Sequence, residues 1–492
     1  MTIFLLGHTF EYEVLNLCKM FFHGVDMKLL YEKTDVGEDG APLGDTITTE
    51  VIKQGEIQVL SVTVSIGDKT VERAGKAPLC SSEKDLELAL CTLLYQALEE
   101  HTGISLKWGL LTGIRPAKMV RHMRADGVED EEIRRRFQED FFVSKEKTDL
   151  CFDVVKNERL ILRRNRKDSF SIYISIPFCP TRCLYCSFVS HSIKKANRLL
   201  GDYCEKLVEE LRETGKLVKA QGLHQETVYI GGGTPTILSP EQIRLITGAI
   251  RENFDLSDIC EYTMEAGRPD TIDEEKLIAM KEAGVTRISI NPQSFNDHVL
   301  ETIGRPHTGQ DVIDKFLLAR KVGFTNINMD LIAGLPEDTL ESFQATIRQT
   351  IDLGPENITL HTLSVKRSSR LKKEYDAKGY EFDEMVAAMT SFAYNAFREA
   401  GYGPYYMYRQ KNTRGNLENV GYAKAGLESP YNVYIMDETH SIIAMGAGAV
   451  SKLVDQESGR IQRIFNYKYP YEYLSRFDTV LERKRKELCQ HE

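Results

Sequence analysis

Between residues 171 and 363 the chain alternates six short β-type runs with five helical ones, and this alternation limits its fold more tightly than any other feature. The β-type runs fall at 171–176, 227–230, 261–265, 287–291, 326–331 and 357–363, and the helical ones at about 196–220, 240–253, 273–283, 309–322 and 338–353. Capping residues mark the helix ends. Ser239-Pro240-Glu241-Gln242 reads as an N-cap, a proline at the first helical position and a capping-box glutamine. Gly284 and Gly323 stand where C-cap glycines belong. Strand–helix alternation requires right-handed crossovers and a parallel sheet. Six βα units fall short of the eight of a closed barrel, so the expected fold class is α/β, a partial, open-sided (β/α)6 barrel with its chemistry at the carboxyl ends of the strands.

The flanks differ in texture. Residues 1–75 look β-rich, with β-branched alternation at 55–65, and 82–162 look helical, with apolar residues every three or four positions over 85–99. The basic run RRNRKD at 163–168 reads as a linker. Beyond 371 come a helix at 383–400, the aromatic segment 401–408, a glycine-rich stretch at 444–450 and a basic helix near 470–488. The expected division is a β-rich domain (1–80), a helical segment (81–165), the barrel (166–370) and an α+β carboxy-terminal domain capping the substrate (371–492). With 42% hydrophobic and 28% charged residues in 492, the chain is not disordered. Its net charge of −10 makes it a poor nucleic-acid coat. No run of eighteen apolar residues would span a membrane, and the opening MTIFLLGHTFEYEV lacks a basic n-region. The expectation is a cytoplasmic monomer that binds no nucleic acid.

Seven of the ten cysteines are scattered (Cys18, Cys80, Cys91, Cys151, Cys204, Cys260 and Cys489) and read as small buried hydrophobes. The other three are bunched directly after the first barrel strand, in Cys179-Pro-Thr-Arg-Cys183-Leu-Tyr-Cys186. Three thiolates on one short loop can take three corners of a [4Fe–4S] cubane and leave one iron open to a donor from outside the protein. The rival is a structural zinc site, which wants four ligands. Cys204 and His191 could complete it only at spacings unlike those of zinc fingers.

The surrounding motifs sharpen this. Tyr173-Ile-Ser-Ile-Pro-Phe178 leads into the cysteines, and Gly231-Gly232-Gly233-Thr234-Pro-Thr236 follows the second strand without the lysine or the spacing of a phosphate loop. Glu265 with Pro269, Arg287-Ile-Ser-Ile-Asn-Pro-Gln293-Ser-Phe, Gly304-Arg305-Pro-His307 and Asn328-Met-Asp330-Leu-Ile-Ala-Gly-Leu-Pro follow. Together they resemble the radical S-adenosylmethionine (SAM) enzymes. Among these they are most similar to the oxygen-independent coproporphyrinogen III oxidase (dehydrogenase) family in its N-terminally extended HemZ-type branch. The likeness is strong over about 170–340, looser over about 400–470, and confined to the extended branch for the first 165 residues.

Carried over residue by residue, the resemblance makes Cys179, Cys183 and Cys186 the cluster ligands. Tyr173, Gly232 and Glu265 become contacts of a first SAM. Tyr185, Gly233, Thr234, Gln293, Arg305 and Asp330 become contacts of a second, with Thr362 and Val450 as further ones. Tyr173, Glu265 and Arg305 are the residues it places nearest the chemistry. The residue types suit those roles, since carboxylates bind ribose hydroxyls, arginine grips a carboxylate bidentately and an aromatic ring packs on adenine. The implied reaction is oxidative decarboxylation of two propionates of coproporphyrinogen III to vinyl groups, giving protoporphyrinogen IX through a 5′-deoxyadenosyl radical. It implies a flavodoxin- or ferredoxin-like electron donor and an electron acceptor that the sequence does not identify. Candidate anchors for the tetrapyrrole carboxylates are Lys366, Arg367 and Arg370 after the sixth strand, and Arg409, Lys411 and Arg414 beside the tyrosine cluster.

Two positions depart from the enzyme's pattern, which has histidine at Ser175 and a further cysteine at Phe188. Three alternatives stay open: a haem chaperone of the same family, for which Glu418-Asn419-Val-Gly-Tyr422 is the nearest match to that branch's motif; another tetrapyrrole-modifying radical SAM enzyme, methylating or ring-opening; and a radical SAM fold that keeps only an electron-transfer cluster. The motif running from Trp108 through Arg115 to Lys118 is equally compatible with a helix start and with a docking surface.

Overall fold

The computed structural model describes residues 1–34, 44–112, 115–186, 191–364, 379–410 and 413–488. The chain divides into two compact units. The first comprises Met1–Phe152, Lys372–Ala387 and Arg409–Leu417, and the second Asp153–Leu371, Ala388–Tyr408 and Glu418–Glu492.

The first unit is built on a sheet of β1 (Thr2–Leu6), β2 (Lys28–Leu30), β3 (Thr46–Gln54), β4 (Ile57–Ile66) and β5 (Lys69–Pro78), in the order β2-β1-β3-β4-β5. Alternation in β4 buries Leu60, Val62 and Val64 on one face. Helices Glu11–Phe21 and Glu83–Thr102 pack there through Val14, Leu17, Leu90 and Leu94. The second helix is capped by Ser82, whose hydroxyl accepts from Asp85 N, and stopped by Gly103 in the left-handed region. The β-rich expectation for the opening residues passed over the helix at Glu11–Phe21, which has no side-chain cap to announce it. The expected linker at 163–168 also differs, because Arg163 and Arg164 form the last turn of helix Lys145–Arg164, where cations oppose the negative end of the helix dipole.

In the second unit β6 (Ser169–Ile176) leads to the short β7 (Phe178–Cys179) and β8 (His191–Ser192). Then come β9 (His224–Gly232), β10 (Glu261–Glu265), β11 (Arg287–Ser289), β12 (Ile327–Ala333) and β13 (Asn357–Thr362). Strands β6, β9, β10, β11, β12 and β13 lie side by side in that order, every pair parallel. Polar and apolar residues alternate along each strand. Ile172, Ile174, Val228, Ile230, Tyr262, Met264, Ile288 and Met329 pack with Leu207, Ile243, Ile250, Leu277 and Phe316 of the covering helices, each buried side chain contributing about 1.5–3 kcal/mol. The other face carries Tyr173, Tyr229, Glu261, Glu265, Arg287, Asn328 and Asp330, so the concave side of the barrel is polar. The helix N-terminus at Ser239 has both hydrogen bonds of a capping box, and Gly323 is left-handed, as expected.

The sheet extends further than the six units. On one side β14 (Tyr402–Arg409) and β15 (Glu418–Lys424) add, β15 antiparallel to β13. On the other, β16 (Ser441–Met445) runs parallel to β6, followed by β17 (Val450–Val454) and β18 (Ile461–Phe465). The eleven-stranded order begins at β14 and ends at β18 without closing, which makes the barrel open. In place of one basic terminal helix there are two, Pro470–Ser475 and Phe477–Leu488, parted at Arg476. Lys484 of the second is buried. Its Nζ meets Glu210 Oε1 at 2.7 Å and donates to Ala444 O at 2.6 Å. Glu210 also accepts from Gly446 N, Tyr473 OH and Asn466 Nδ2, so this buried carboxylate fixes the turn after β16.

Candidate functional site

The cysteine loop is pinned at both ends. Phe178 pairs with His191 and Cys179 with Ser192 across β7 and β8, while Leu184 N donates to Ile303 O at 3.1 Å and Cys186 N to Cys183 O at 3.2 Å. All three thiols are free of disulfides, with Cys183 buried and Cys179 and Cys186 half-buried. Thr234 Oγ1 donates to Cys179 Sγ at 3.4 Å, and Arg268 Nη1 to Cys183 Sγ at 3.7 Å. Among the described residues no three His, Cys, Asp or Glu side chains gather round a single ion. A cubane held at three of its four irons, by one thiolate each, does not need them to.

The glycines at the end of β9 bring its backbone against this loop. Gly233 N donates to Ile176 O and Thr234 N to Phe178 O, both at 2.8 Å. A Cβ on Gly233 would stand 2.5 Å from Phe178 O and 2.9 Å from Ile176 O, and Gly232 has φ +109°, so this approach is open only to glycine. At the end of β10, Glu265 accepts from Tyr229 OH at 2.7 Å. Tyr229 stacks on Tyr431 at 4.3 Å between centroids, and Tyr173 stacks against both. Burial lifts the Glu265 carboxyl to about 7; donation from Tyr229 opposes the rise and the Asp330 carboxylate adds to it.

Asp330 on β12 accepts from Asn291 Nδ2 and Asn328 Nδ2, each at 2.7 Å, and its own N–H donates to Asn291 Oδ1. Arg305 is buried, donating to Asn291 O at 3.0 Å, to Gly267 O at 3.3 Å and to Tyr185 OH at 3.1 Å, with its Nε left without a partner. Burial works against its charge, but Tyr185 and Cys183 outweigh that and hold the guanidinium protonated more firmly than usual. Gln293 has φ +66°, a costly conformation for a side-chain-bearing residue, fixed by bonds from its N–H to Asp330 O and from Ile332 N–H to its carbonyl.

The structure thus links Tyr173, Glu265 and the glycines after β9 at one set of strand ends, and Tyr185, Arg305, Asp330 and Gln293 at the next. Thr362 and Val450 stand differently. The Thr362 hydroxyl donates to Glu418 O at 2.7 Å and its N–H to Asn419 Oδ1, while Val450 pairs with Phe465 on β17, separated from β6 by β16. Ser175, where the enzyme's pattern has histidine, donates to Ala447 O at 2.8 Å and lies 3.1 Å from where a Gly232 Cβ would be. Among the expected anchors, Arg409 is buried in the first unit. Its donors go to Leu111 O and Asn416 O, and its guanidinium carbon stands 4.9 Å from the Trp108 ring, so it does not present a carboxylate anchor. Lys366, Arg367, Arg370, Lys411, the Arg414 side chain and Phe188 lie outside the described residues. Sequence reasoning passed over Arg268, Tyr229, Tyr431 and Asn291. The polar alternation along β9 could have found Tyr229, whereas Tyr431 arrives from helix Pro430–Asp437 with no local signal.

A cluster with a sulfonium nucleotide is consistent with these donors. Three thiols outside any disulfide carry the right ligand chemistry, Arg268 and Arg305 supply positive charge beside Cys183, and the glycine backbone leaves no room for a Cβ at the loop. Residues 173–350 match the Radical SAM superfamily, whose cofactors are a [4Fe–4S] cluster and SAM. Over 473 residues the chain is 38% identical to the oxygen-independent coproporphyrinogen-III oxidase-like protein HemZ of Bacillus subtilis, covering 94% of each protein. It is 32% identical to the heme chaperone HemW of Haemophilus influenzae, over 62% of this chain and 75% of that one. It is 29% identical to the oxygen-independent coproporphyrinogen III oxidase of Cereibacter sphaeroides, over 59% and 63%. Among solved structures, coproporphyrinogen III oxidase (HemN) from Escherichia coli matches at 22% identity and a TM-score of 0.49, over 65% of this chain and 71% of that one. No helix among the described residues is long and apolar enough to cross a membrane.

Proposed function

Because this chain belongs to the oxygen-independent coproporphyrinogen-III oxidase-like family of radical SAM proteins, we propose that it oxidatively decarboxylates the propionates of coproporphyrinogen III, giving protoporphyrinogen IX. The observation that carries the reading is the joining of a three-cysteine loop to a strand-end rim bearing Glu265, Asp330 and Arg305, in a chain similar over nearly its whole length to a protein of that name. When bound, the cluster and SAM together supply a 5′-deoxyadenosyl radical able to take hydrogen from the β-carbon of a propionate. Cys179, Cys183 and Cys186 are the ligands in this reading, and Thr234 and Arg268 orient two of their sulfurs. The Gly231–Gly233 backbone admits the methionine end of SAM. Glu265, held by Tyr229, accepts from ribose hydroxyls, and Tyr173 offers a ring face for adenine. Arg305, with one N–H unspent, meets a carboxylate of a second SAM or of the substrate. An electron donor of flavodoxin or ferredoxin type, one electron acceptor and one tetrapyrrole complete the proposed partners.

The test is anaerobic incubation of the reconstituted protein with SAM, a reductant and coproporphyrinogen III, followed by mass analysis. The expected result is loss of two CO2 per tetrapyrrole with formation of 5′-deoxyadenosine. A gain of methyl groups would overturn the decarboxylation in favour of another radical SAM chemistry. Retention of haem without 5′-deoxyadenosine would overturn it in favour of the chaperone reading, which the similarity to HemW favours.

A further inference from the structure

Arg268 sits three residues past Glu265, on the turn that leaves β10, and is 4% exposed. Its guanidinium donates from Nε and Nη2 to the two Asp270 oxygens, at 2.8 and 3.0 Å. That fork would satisfy an arginine with nothing else in reach. Here the remaining donors go elsewhere. Nη1 and Nη2 reach Thr181 Oγ1 at 3.3 and 3.2 Å, and Nη1 reaches Thr181 O at 3.5 Å and Cys183 Sγ at 3.7 Å. Thr181 lies within the cysteine loop and Asp270 within the 3-10 turn Pro269–Thr271, so one buried cation ties that loop to the end of β10. The turn returns the grip, because Thr271 donates from both N–H and Oγ1 to Arg268 O. Asp270 takes Nε and one Nη2 donor, while Nη1 is left to the loop and its sulfur.

We propose that Arg268 is a positioning residue that sets the reduction potential of the cluster through Cys183 and holds the loop in register with the SAM-binding strand end. The proposal rests on the reading of Cys183 as a cluster ligand. An N–H pointed at a ligating sulfur, with its positive charge, stabilises the more negative reduced cluster and raises its potential. Arg305 also interacts with Cys183, but its shorter hydrogen bonds go to Asn291, Gly267 and Tyr185, whereas Arg268 joins the same sulfur to Thr181 of the cysteine loop.

The experiment is a redox titration of reconstituted holoprotein followed by electron paramagnetic resonance, with iron and sulfide content measured in parallel. At the potential where the natural protein is half reduced, Arg268→Met should show about a tenfold lower ratio of reduced to oxidised cluster, equivalent to about 59 mV. Arg268→Lys, which keeps the charge without the fork, should fall between. Asp270→Asn disturbs the same turn but leaves the guanidinium, and serves as the structural control: its potential should move less than that of Arg268→Met. Equal potentials in the natural protein and Arg268→Lys and Arg268→Met overturn the proposal. So does an Asp270→Asn shift as large as that of Arg268→Met. If Arg268→Met folds by circular dichroism but binds no iron, the loop-holding half stands and Arg268→Lys decides the potential. If the natural protein itself takes up no [4Fe–4S] cluster, the reading of the cysteines fails, a result distinct from either.

Discussion

Glu265 shows how one strand-end position gathers its function from neighbours that are remote in sequence. The groups facing it are the Tyr229 hydroxyl, the Tyr173 and Tyr431 rings, the Asp330 carboxylate and the Arg287 guanidinium, and burial outweighs the stabilising members of this set to leave the carboxyl near 7. A carboxyl with a raised folded-state value favours folding most below its unfolded value, and that contribution declines as pH rises through about 7. Binding of ribose hydroxyls has the opposite sign, because the ionised form accepts them. SAM affinity, measured calorimetrically on holoprotein, should therefore rise as pH increases from 6 to 8, with proton release on binding. Glu265→Gln should bind more weakly and flatten that profile; an unchanged profile would remove Glu265 from the ribose. The carboxylate was singled out in the sequence by the resemblance and by its place at the end of a strand. Its environment was not, since Tyr431 lies 166 residues further on and reaches the stack only through the tertiary fold.

At the scale of elements, the six parallel strands and their helices were legible because each carries a local signal: polar–apolar alternation, the Ser239 capping box, the left-handed Gly323. What escaped was pairing that has no local cause. Strand β16 reads as Ser-Ile-Ile-Ala-Met, a short apolar run equally suited to a core helix, and only its register with Phe170 through Ile174 makes it a sheet strand. The resemblance made Gly232 and Gly233 SAM contacts and did not announce the close approach between the turn after β9 and the cysteine loop, where backbone atoms of Ile176 and Phe178 cannot retreat without unpairing β7. Gly233→Ala should cost about 1–3 kcal/mol by overpacking and lower iron uptake on reconstitution, read as midpoint denaturation temperature and iron content. A variant with natural iron content and melting would show that this backbone contact yields freely.

At the scale of the whole molecule, the second unit depends on its last helix. Lys484 is buried against Glu210, and burial pushes its ammonium below the usual range while Glu210 partly offsets the fall. Lys484→Met would strand a buried carboxylate and should destabilise by about 3–5 kcal/mol in denaturant unfolding, while the double variant Glu210→Gln with Lys484→Met should recover much of the loss. If the single and double variants unfold alike, the pair is not what holds the turn after β16. The pairing of β6 with β16 carries a consequence for synthesis of the chain. The strand that opens the barrel emerges from the ribosome some 270 residues before the one that covers its outer edge. During that interval the nascent polypeptide presents an unpaired parallel edge, carrying the cysteine loop at its tip, to whatever else is in the cell. The order of the strands alone keeps that edge open until the last part of the chain is made.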